Sequence, residues 1–243
     1  MRYSKSFYEV QRLASIESAR VIAPLVMELV RPASVIDFGC GVGTWLSVFA
    51  ENGVREARGI DGPWVDRRSL LIRPECFVAA DLAQPIDAGK RFDLAISLEV
   101  AEHIRAERAA TFVESLARAA PVVLFSAAIP SQGGVRHYNE QWPEYWAALF
   151  RRCGYACIDC IREKVWNDPR VEYWYAQNTL LFVDERALPA HPGLAGEASR
   201  ARLPLSIVHP RGYLGVVRYK FLYLHHLVEI MAKVRRRRQL RRG

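Results

Sequence analysis

Three glycines, Gly39, Gly41 and Gly43, follow the apolar run Ser34–Phe38 and precede the amphipathic stretch Thr44–Glu51. A turn of this composition lets backbone N–H groups approach a ligand closely, because glycine has no side chain to hold the ligand off. It also constrains the architecture. An apolar strand, a tight glycine turn and a helix make up the opening unit of a parallel sheet covered by helices. From about residue 33 to 184 short apolar runs keep alternating with amphipathic stretches, which predicts an α/β doubly wound, mostly parallel sheet. The predicted strands are Ser34–Phe38, Ala57–Ile60, Phe77–Ala80, Phe92–Ser97, Val122–Ala127, Ala156–Ile161 and Asn178–Val183. Helices are predicted at Thr44–Glu51, Ala106–Ala119 and Glu140–Arg152, the last stopped by Gly154. Residues 6–30, with Ile16, Ala19, Ala23, Val26 and Met27 at helical spacing, read as one or two helices before the first strand.

Four segments follow: a helical cap over residues 1–32, the α/β domain over 33–184, a proline-containing linker over 185–212 and a basic amphipathic tail over 213–243. In the tail, Leu214, Val217, Phe221, Leu224, Val228 and Met231 step by three and four residues into an arginine cluster. The net charge of +8 belongs to that tail: Lys233, Arg235, Arg236, Arg237, Arg238, Arg241 and Arg242 supply seven positive charges and leave +1 for residues 1–232. The tail reads as a solvated end, as a contact for an anionic membrane surface or lipid-linked glycan, or, with less support, as a nucleic-acid contact. The nearly neutral body carries no such signature. With 51% hydrophobic residues and no apolar run of spanning length, a membrane helix is not expected. Mixed polar sequence after Met1 and five cysteines, an odd number, point to reduced thiols and a cytoplasmic protein, peripheral at a membrane if the tail binds one.

The glycine loop departs from the dinucleotide fingerprint G-x-G-x-x-G, since Thr44 stands three residues after Gly41. Asp37-Phe38-Gly39-Cys40-Gly41-Val42-Gly43 instead resembles the first motif, (D/E)-x-G-x-G-x-G, of class I S-adenosylmethionine-dependent methyltransferases. The resemblance extends in order over about residues 33–184. It implies a Rossmann-like, seven-stranded sheet with an antiparallel last strand, and S-adenosyl-L-methionine as cofactor. It makes Asp61, ending Gly59-Ile60-Asp61, the residue for the cofactor ribose, and Asp81, with Leu82, the neighbour of the adenine. Ser97, Leu98 and Glu99, within Phe92–Ile104, resemble the segment that faces the methionine end. Asp37, Gly39, Gly41 and Gly43 complete the implied cofactor site. The placement agrees with a general rule: in open parallel sheets ligands bind beyond the carboxyl ends of the strands, where all three aspartates fall.

No Asn/Asp-Pro-Pro-Tyr/Phe follows the fourth strand, which lowers the weight of amino-group methylation of DNA. A long polar loop, Ile129–Trp142, follows the fifth strand at the same edge and carries His137. His137 and His103 are the candidate catalytic residues, because a neutral imidazole is a suitable proton acceptor near pH 7. His103 has a structural rival role, holding the turn before the next helix. A second overhang, Lys164–Tyr173, offers Trp166, Asn167, Asp168, Arg170 and Tyr173 to the pocket, whereas Trp142 and Trp146 are predicted in the core. Cys153-x-x-x-Cys157-x-x-Cys160 matches an iron–sulfur spacing, but Cys157 and Cys160 would point to opposite faces of one strand, so no metal site is expected. The functional expectation is methylation, O-directed, of a small molecule or sugar-containing metabolite. The alternative is a non-catalytic cofactor-binding module docked through its basic tail. Oligomeric state is not legible.

Overall fold

Period-two alternation places successive residues of a strand on opposite sheet faces, and β1 (Ser34–Phe38) shows this in its packing. Val35 joins the hydrophobic cluster on one face, and Ile36 and Phe38 the cluster on the other. The computed structural model describes residues 5–198 and 204–217, with side chains from Ser15 onward. Six further strands, β2 (Glu56–Asp61), β3 (Phe77–Ala79), β4 (Leu94–Leu98), β5 (Val122–Ser126), β6 (Tyr155–Ile158) and β7 (Leu180–Asp184), complete one sheet in the order β3-β2-β1-β4-β5-β7-β6. β7 runs antiparallel between β5 and β6, and the other pairs are parallel. The chain order reverses between β1 and β4, so the carboxyl ends of β1, β2 and β4 flank the switch point at which an open sheet accepts a ligand.

Helices cover both faces. α1 (Lys5–Val30) and α2 (Thr44–Glu51) bury Ile22, Val26, Leu46 and Phe49 against Val35, Ile96 and Leu181. α3 (Ala109–Ala119) and α4 (Pro143–Arg152) bury Phe112, Leu116, Trp146 and Phe150 against Ile36, Phe125 and Phe182. The centre of the second cluster is aromatic: Phe150 stacks on Phe182 at 4.0 Å and 11°, and Phe125 meets Trp146 at 5.3 Å. The expected region 6–30 is one helix. Beyond β6 lie α5 (Arg162–Val165), α6 (Tyr173–Asn178) and α7 (Pro192–Ala198), and α7 buries Leu194 in the first cluster.

Several sequence expectations need correction. Trp146 is buried, but Trp142 is 41% exposed, because α4 starts at Pro143, whose fixed φ suits a first helical position and whose missing N–H ends the pattern upstream. Ala106–Arg108 is a 3₁₀ turn, so the α-helix begins at Ala109. β6 stops at Ile158, which leaves Cys160 beyond the strand; the opposite-face argument does not apply to it, although all five cysteines are free thiols. Part of the 164–173 overhang is helical rather than loop, with Glu172 N–H bonded to Ser18 Oγ of α1 at 3.0 Å. The chain divides into two units, Met1–Ile207 and Val208–Gly243. In the second, residues 210–217 are helical; the predicted arginine-rich tail lies outside the described residues. Among the described residues no helix is long and apolar enough to cross a membrane.

One buried charge ties the far end of this domain together. Arg162, 1% exposed, makes a two-pronged contact with Asp159 (Nε–Oδ1 3.0 Å, Nη2–Oδ2 2.6 Å) and donates from Nη1 to the carbonyls of Gln177 at 3.1 Å and Leu205 at 2.7 Å. The planar guanidinium fork is the only side chain that fits this set. Arg162→Met strands a shielded carboxylate and two carbonyls and should cost about 3–5 kcal/mol, lowering Tm by roughly 6–20 °C in a chain of this size. Urea unfolding is the check; a loss under ~1 kcal/mol would refute the assigned role.

Candidate active site

The glycine loop takes backbone that a side chain would resist: Gly39 and Gly43 have φ of +91° and +86°. A Cβ on Gly39 would lie 2.3 Å from Val100, and one on Gly43 2.9 Å from Ile72, so the loop is pressed against its neighbours at both ends. At Gly41 between them, a Cβ would meet nothing within 4 Å. The middle of the loop thus faces open space over the carboxyl edge of the sheet. Asp61, at the end of β2, fixes the loop by accepting from Gly41 N–H (2.8 Å, Oδ2) and Gly62 N–H (2.6 Å, Oδ1). Burial, opposed by these two donors and by nearby His103, raises its pKa. Asp37 on β1 is 3% exposed, and burial, then the charge of Asp61, hold its carboxyl well above the usual range. Among the described residues neither acid has a Lys or Arg partner.

A polar network follows β4. Glu99 has φ of +57° and accepts from Asn178 Nδ2 (3.0 Å) and Gln132 Nε2 (2.8 Å), while its own N–H meets Ser126. Burial pushes its carboxyl up to about 7 against those hydrogen bonds. Glu102, 1% exposed, is raised further by burial and by the charges of Glu99 and Glu140, and its Oε2 has no partner. The carbonyl of Glu102 accepts from Tyr138 and Asn139, which docks the 129–142 loop onto the turn after β4. Glu140 organises that loop from within: it accepts from Ser131 N–H and Gly133 N–H at 2.8 Å each and bonds His137 Nδ1 at 3.0 Å. His103 Nδ1 meets the Arg136 carbonyl at 3.1 Å, and the two imidazoles stand edge to face at 4.9 Å. His103 is exposed at the surface, yet partial desolvation of its ring lowers its pKa, helped by His137 and opposed by the Arg136 carbonyl and Asp61.

The residues singled out in the sequence therefore fall into distinct groups. Asp37, Asp61 and the three glycines lie around the loop, and Glu99, His103 and His137 lie beside the turn after β4. Ser97 is fully buried with Oγ unpartnered, and Leu98 and Leu82 are buried in the two hydrophobic clusters. Asp81 is exposed and closes its own turn, accepting from Ala83 N–H at 3.0 Å. In the second overhang Asp168 and Arg170 pair with each other at 2.6 Å, which holds the Asp168 pKa low at about 2, while Tyr173 is close enough to Glu99 to feel its charge. Sequence reasoning missed Glu102, Gln132, Glu140, Gln177 and Asn178. Glu102 was legible as the acid preceding His103; Asn178 and Gln177 reach the site only because α6 leads into β7. It also passed over Trp64, which is 78% exposed and overlies Gly62, next to Asp61.

These features fit a nucleoside that carries a cation. The open space at Gly41, an exposed indole beside Asp61, and one buried and one half-buried carboxylate without a basic partner match a ligand with an aromatic base, hydroxyls and positive charge. The family described as "Methyltransferase domain" matches residues 10–159. No curated protein is significantly similar in sequence. Among solved structures, the sugar N-methyltransferase KedS8 from Streptoalloteichus sp. ATCC 53650 has a TM-score of 0.56 at 18% identity, over 75% of this chain and 92% of that one. CalS10, an amino pentose methyltransferase from Micromonospora echinaspora, has a TM-score of 0.54 at 15% identity, over 76% and 98%. An O-methyltransferase family protein from Burkholderia thailandensis matches with a TM-score of 0.47 at 14% identity over 68% of this chain, which spans only 56% of that protein's length. The chain belongs to the methyltransferase-domain family, as a class I enzyme whose cofactor is S-adenosylmethionine.

Proposed function

We propose that this methyltransferase acts on a hydroxyl of a small molecule or sugar-containing metabolite. The observation that carries the reading is the imidazole pair of His103 and His137, with ring centroids 4.9 Å apart beside the turn that bears Glu99 and the His103 pKa lowered. A ring nitrogen there meets a hydroxyl as a hydrogen-bond acceptor and can take its proton. A sugar N-methyltransferase and an amino pentose methyltransferase share this fold, which supports a sugar-type acceptor though not the choice of oxygen over nitrogen.

S-adenosylmethionine, when bound, supplies a methyl group on a sulfonium, open to direct displacement. The chain's part is alignment. Asp61 and the open face of the loop at Gly41 hold the nucleoside end, Trp64 offers the base an aromatic face, and Asp37 and Glu99 offer carboxyls that a cationic group would hold ionised. The 129–142 loop, docked on the Glu102 carbonyl, closes the acceptor side. Positioning of this kind can supply about 7–11 kcal/mol of a barrier, against roughly 3–5 kcal/mol from a general base, so loss of one imidazole slows the reaction without abolishing it.

Two outcomes test the reading. Calorimetric titration with S-adenosylhomocysteine should show saturable binding weakened about tenfold or more by Asp61→Ala, an effect of the size of one charge-assisted hydrogen bond; equal affinity in the variant would remove Asp61 from the cofactor site. In a screen of hydroxylated sugars followed by S-adenosylhomocysteine release, His137→Ala should lower kcat about 10²–10⁴-fold with S-adenosylhomocysteine affinity retained. Turnover on amines but on no hydroxyl compound would refute O-methylation.

The seven cations of residues 233–242 extend the proposal to acceptors at an anionic surface. At about 1 kcal/mol per charge near such a surface, the full chain should sediment with phosphatidylserine vesicles at low salt, and substitution of Arg235, Arg236, Arg237 and Arg238 by Ser should release it. Binding unchanged by those four substitutions would exclude the tail as the contact.

A further inference from the structure

We propose that Glu102, His103 and His137 form a site for one divalent metal ion on the acceptor side of the cofactor edge. One ligand atom from each of the three residues can be chosen so that all lie within 4.8 Å of one another. Donors about 2.0–2.2 Å from a common ion stand at most about 4.4 Å apart, so a shift of a few tenths of an ångström closes the set. His137 Nε2 and Glu102 Oε1 are already at 3.9 Å, a separation with room for an ion between them and too long for a hydrogen bond.

The surroundings of both rings are those of metal-bound histidines. A ligating imidazole commonly donates its other N–H to a carboxylate or a backbone carbonyl, which fixes the tautomer and turns the remaining lone pair to the metal. Here His137 Nδ1 is held by Glu140 at 3.0 Å and His103 Nδ1 by the Arg136 carbonyl at 3.1 Å, leaving Nε2 of each ring unprotonated in the neutral form. Glu102 supplies an independent sign. Its side chain is 1% exposed, and its Oε2 has no hydrogen-bond partner. A buried carboxylate oxygen without a donor is a place where a cation is favoured. Among the described residues no Lys or Arg meets it.

Gly134 completes the case. A Cβ there would lie 2.1 Å from His137 Nε2, so only glycine lets this ring stand where it does. Two imidazoles and one carboxylate suit borderline first-row ions such as Mn²⁺ or Zn²⁺, and three protein ligands leave positions open. Resting on the methyltransferase reading, the open positions face the acceptor and would take its hydroxyl oxygens, orienting a sugar diol. With both Nε2 atoms on the ion, neither imidazole would take the acceptor's proton, and the ion would instead acidify a bound hydroxyl. The titration with Mn²⁺ therefore also decides between the metal role and the base role of the pair.

The experiment is titration of the full chain, stripped with EDTA, with Mn²⁺, following the free-ion signal by electron paramagnetic resonance. The expected result is one saturable site per chain, weakened at least tenfold by His137→Ala, by the near-isosteric Glu102→Gln and by Gly134→Val, and unchanged by His191→Ala. Circular dichroism of each variant confirms folding. Absence of a saturable site in the parent, or a site that survives both Glu102→Gln and His137→Ala, overturns the proposal. S-adenosylhomocysteine calorimetry on the same samples separates the two claims: nucleoside binding without Mn²⁺ binding overturns the metal site and leaves the methyltransferase reading, and Mn²⁺ binding without nucleoside binding does the reverse.

Discussion

The Asp61 carboxylate bridges two backbone N–H groups, those of Gly41 and Gly62, that belong to different strand–turn units. That bridge sets the spacing between the glycine loop and the end of β2, and much of the carboxyl edge depends on it. With the loop fixed from one side by Asp61 and from the other by Val100 and Ile72, the open face of Gly41 can point only over the sheet. The register supports the same geometry: Asp37 stands opposite Gly59 and Asp61 opposite Ala79, so the ends of β1, β2 and β3 step outward together. A charged acceptor serves here better than a neutral one, since hydrogen bonds to an ionised oxygen are about twice as strong.

The edge carries a cost. Asp37, Asp61, Glu99 and Glu102 are all shifted toward their protonated forms, with burial the largest cause in each. A carboxyl whose folded-state pKa lies above its unfolded value binds more protons in the folded state, so its contribution to stability falls as pH rises from the unfolded to the folded value. For Glu99 that window runs from about 4.5 to about 7. His103, with its pKa lowered, acts in the opposite direction just below its ordinary value of 6.5, favouring the fold as pH rises toward that value. Cationic ligands reverse the balance at the acids, because they stabilise the charged forms that burial penalises. The site stores unfavourable charge in a scaffold whose two hydrophobic faces are dense enough to tolerate it.

Legibility in the sequence followed the range of the interactions. The strands and α2 were visible because alternation and the glycine turn are local signals, and β1 and α2 have the bounds expected of them. Boundaries slipped where a single residue overrode the pattern, as Pro143 did for α4. In the site, acids at strand ends could be picked by position alone, but their partners could not. Gln132 and Asn178 reach Glu99 across 33 and 79 residues, and no local pattern marks either. Trp142 shows the limit of composition: an aromatic four residues from a core tryptophan on an apparent helix lies outside that helix and is exposed.

The 129–142 loop explains why two histidines so far apart in sequence share one place. Its backbone is pinned by Tyr138 and Asn139 on the carbonyl of Glu102, the residue that immediately precedes His103. Any displacement of the turn after β4 therefore carries the loop with it, and His137 stays in register with His103 without touching the sheet. Glu140 makes the loop rigid by spending one carboxylate on three donors, Ser131, Gly133 and His137. Ser131 and Arg136 adopt positive φ without being glycine, a strain that those bonds and the docking on Glu102 sustain. The bonds that sustain this strain are the same ones that place the His137 imidazole.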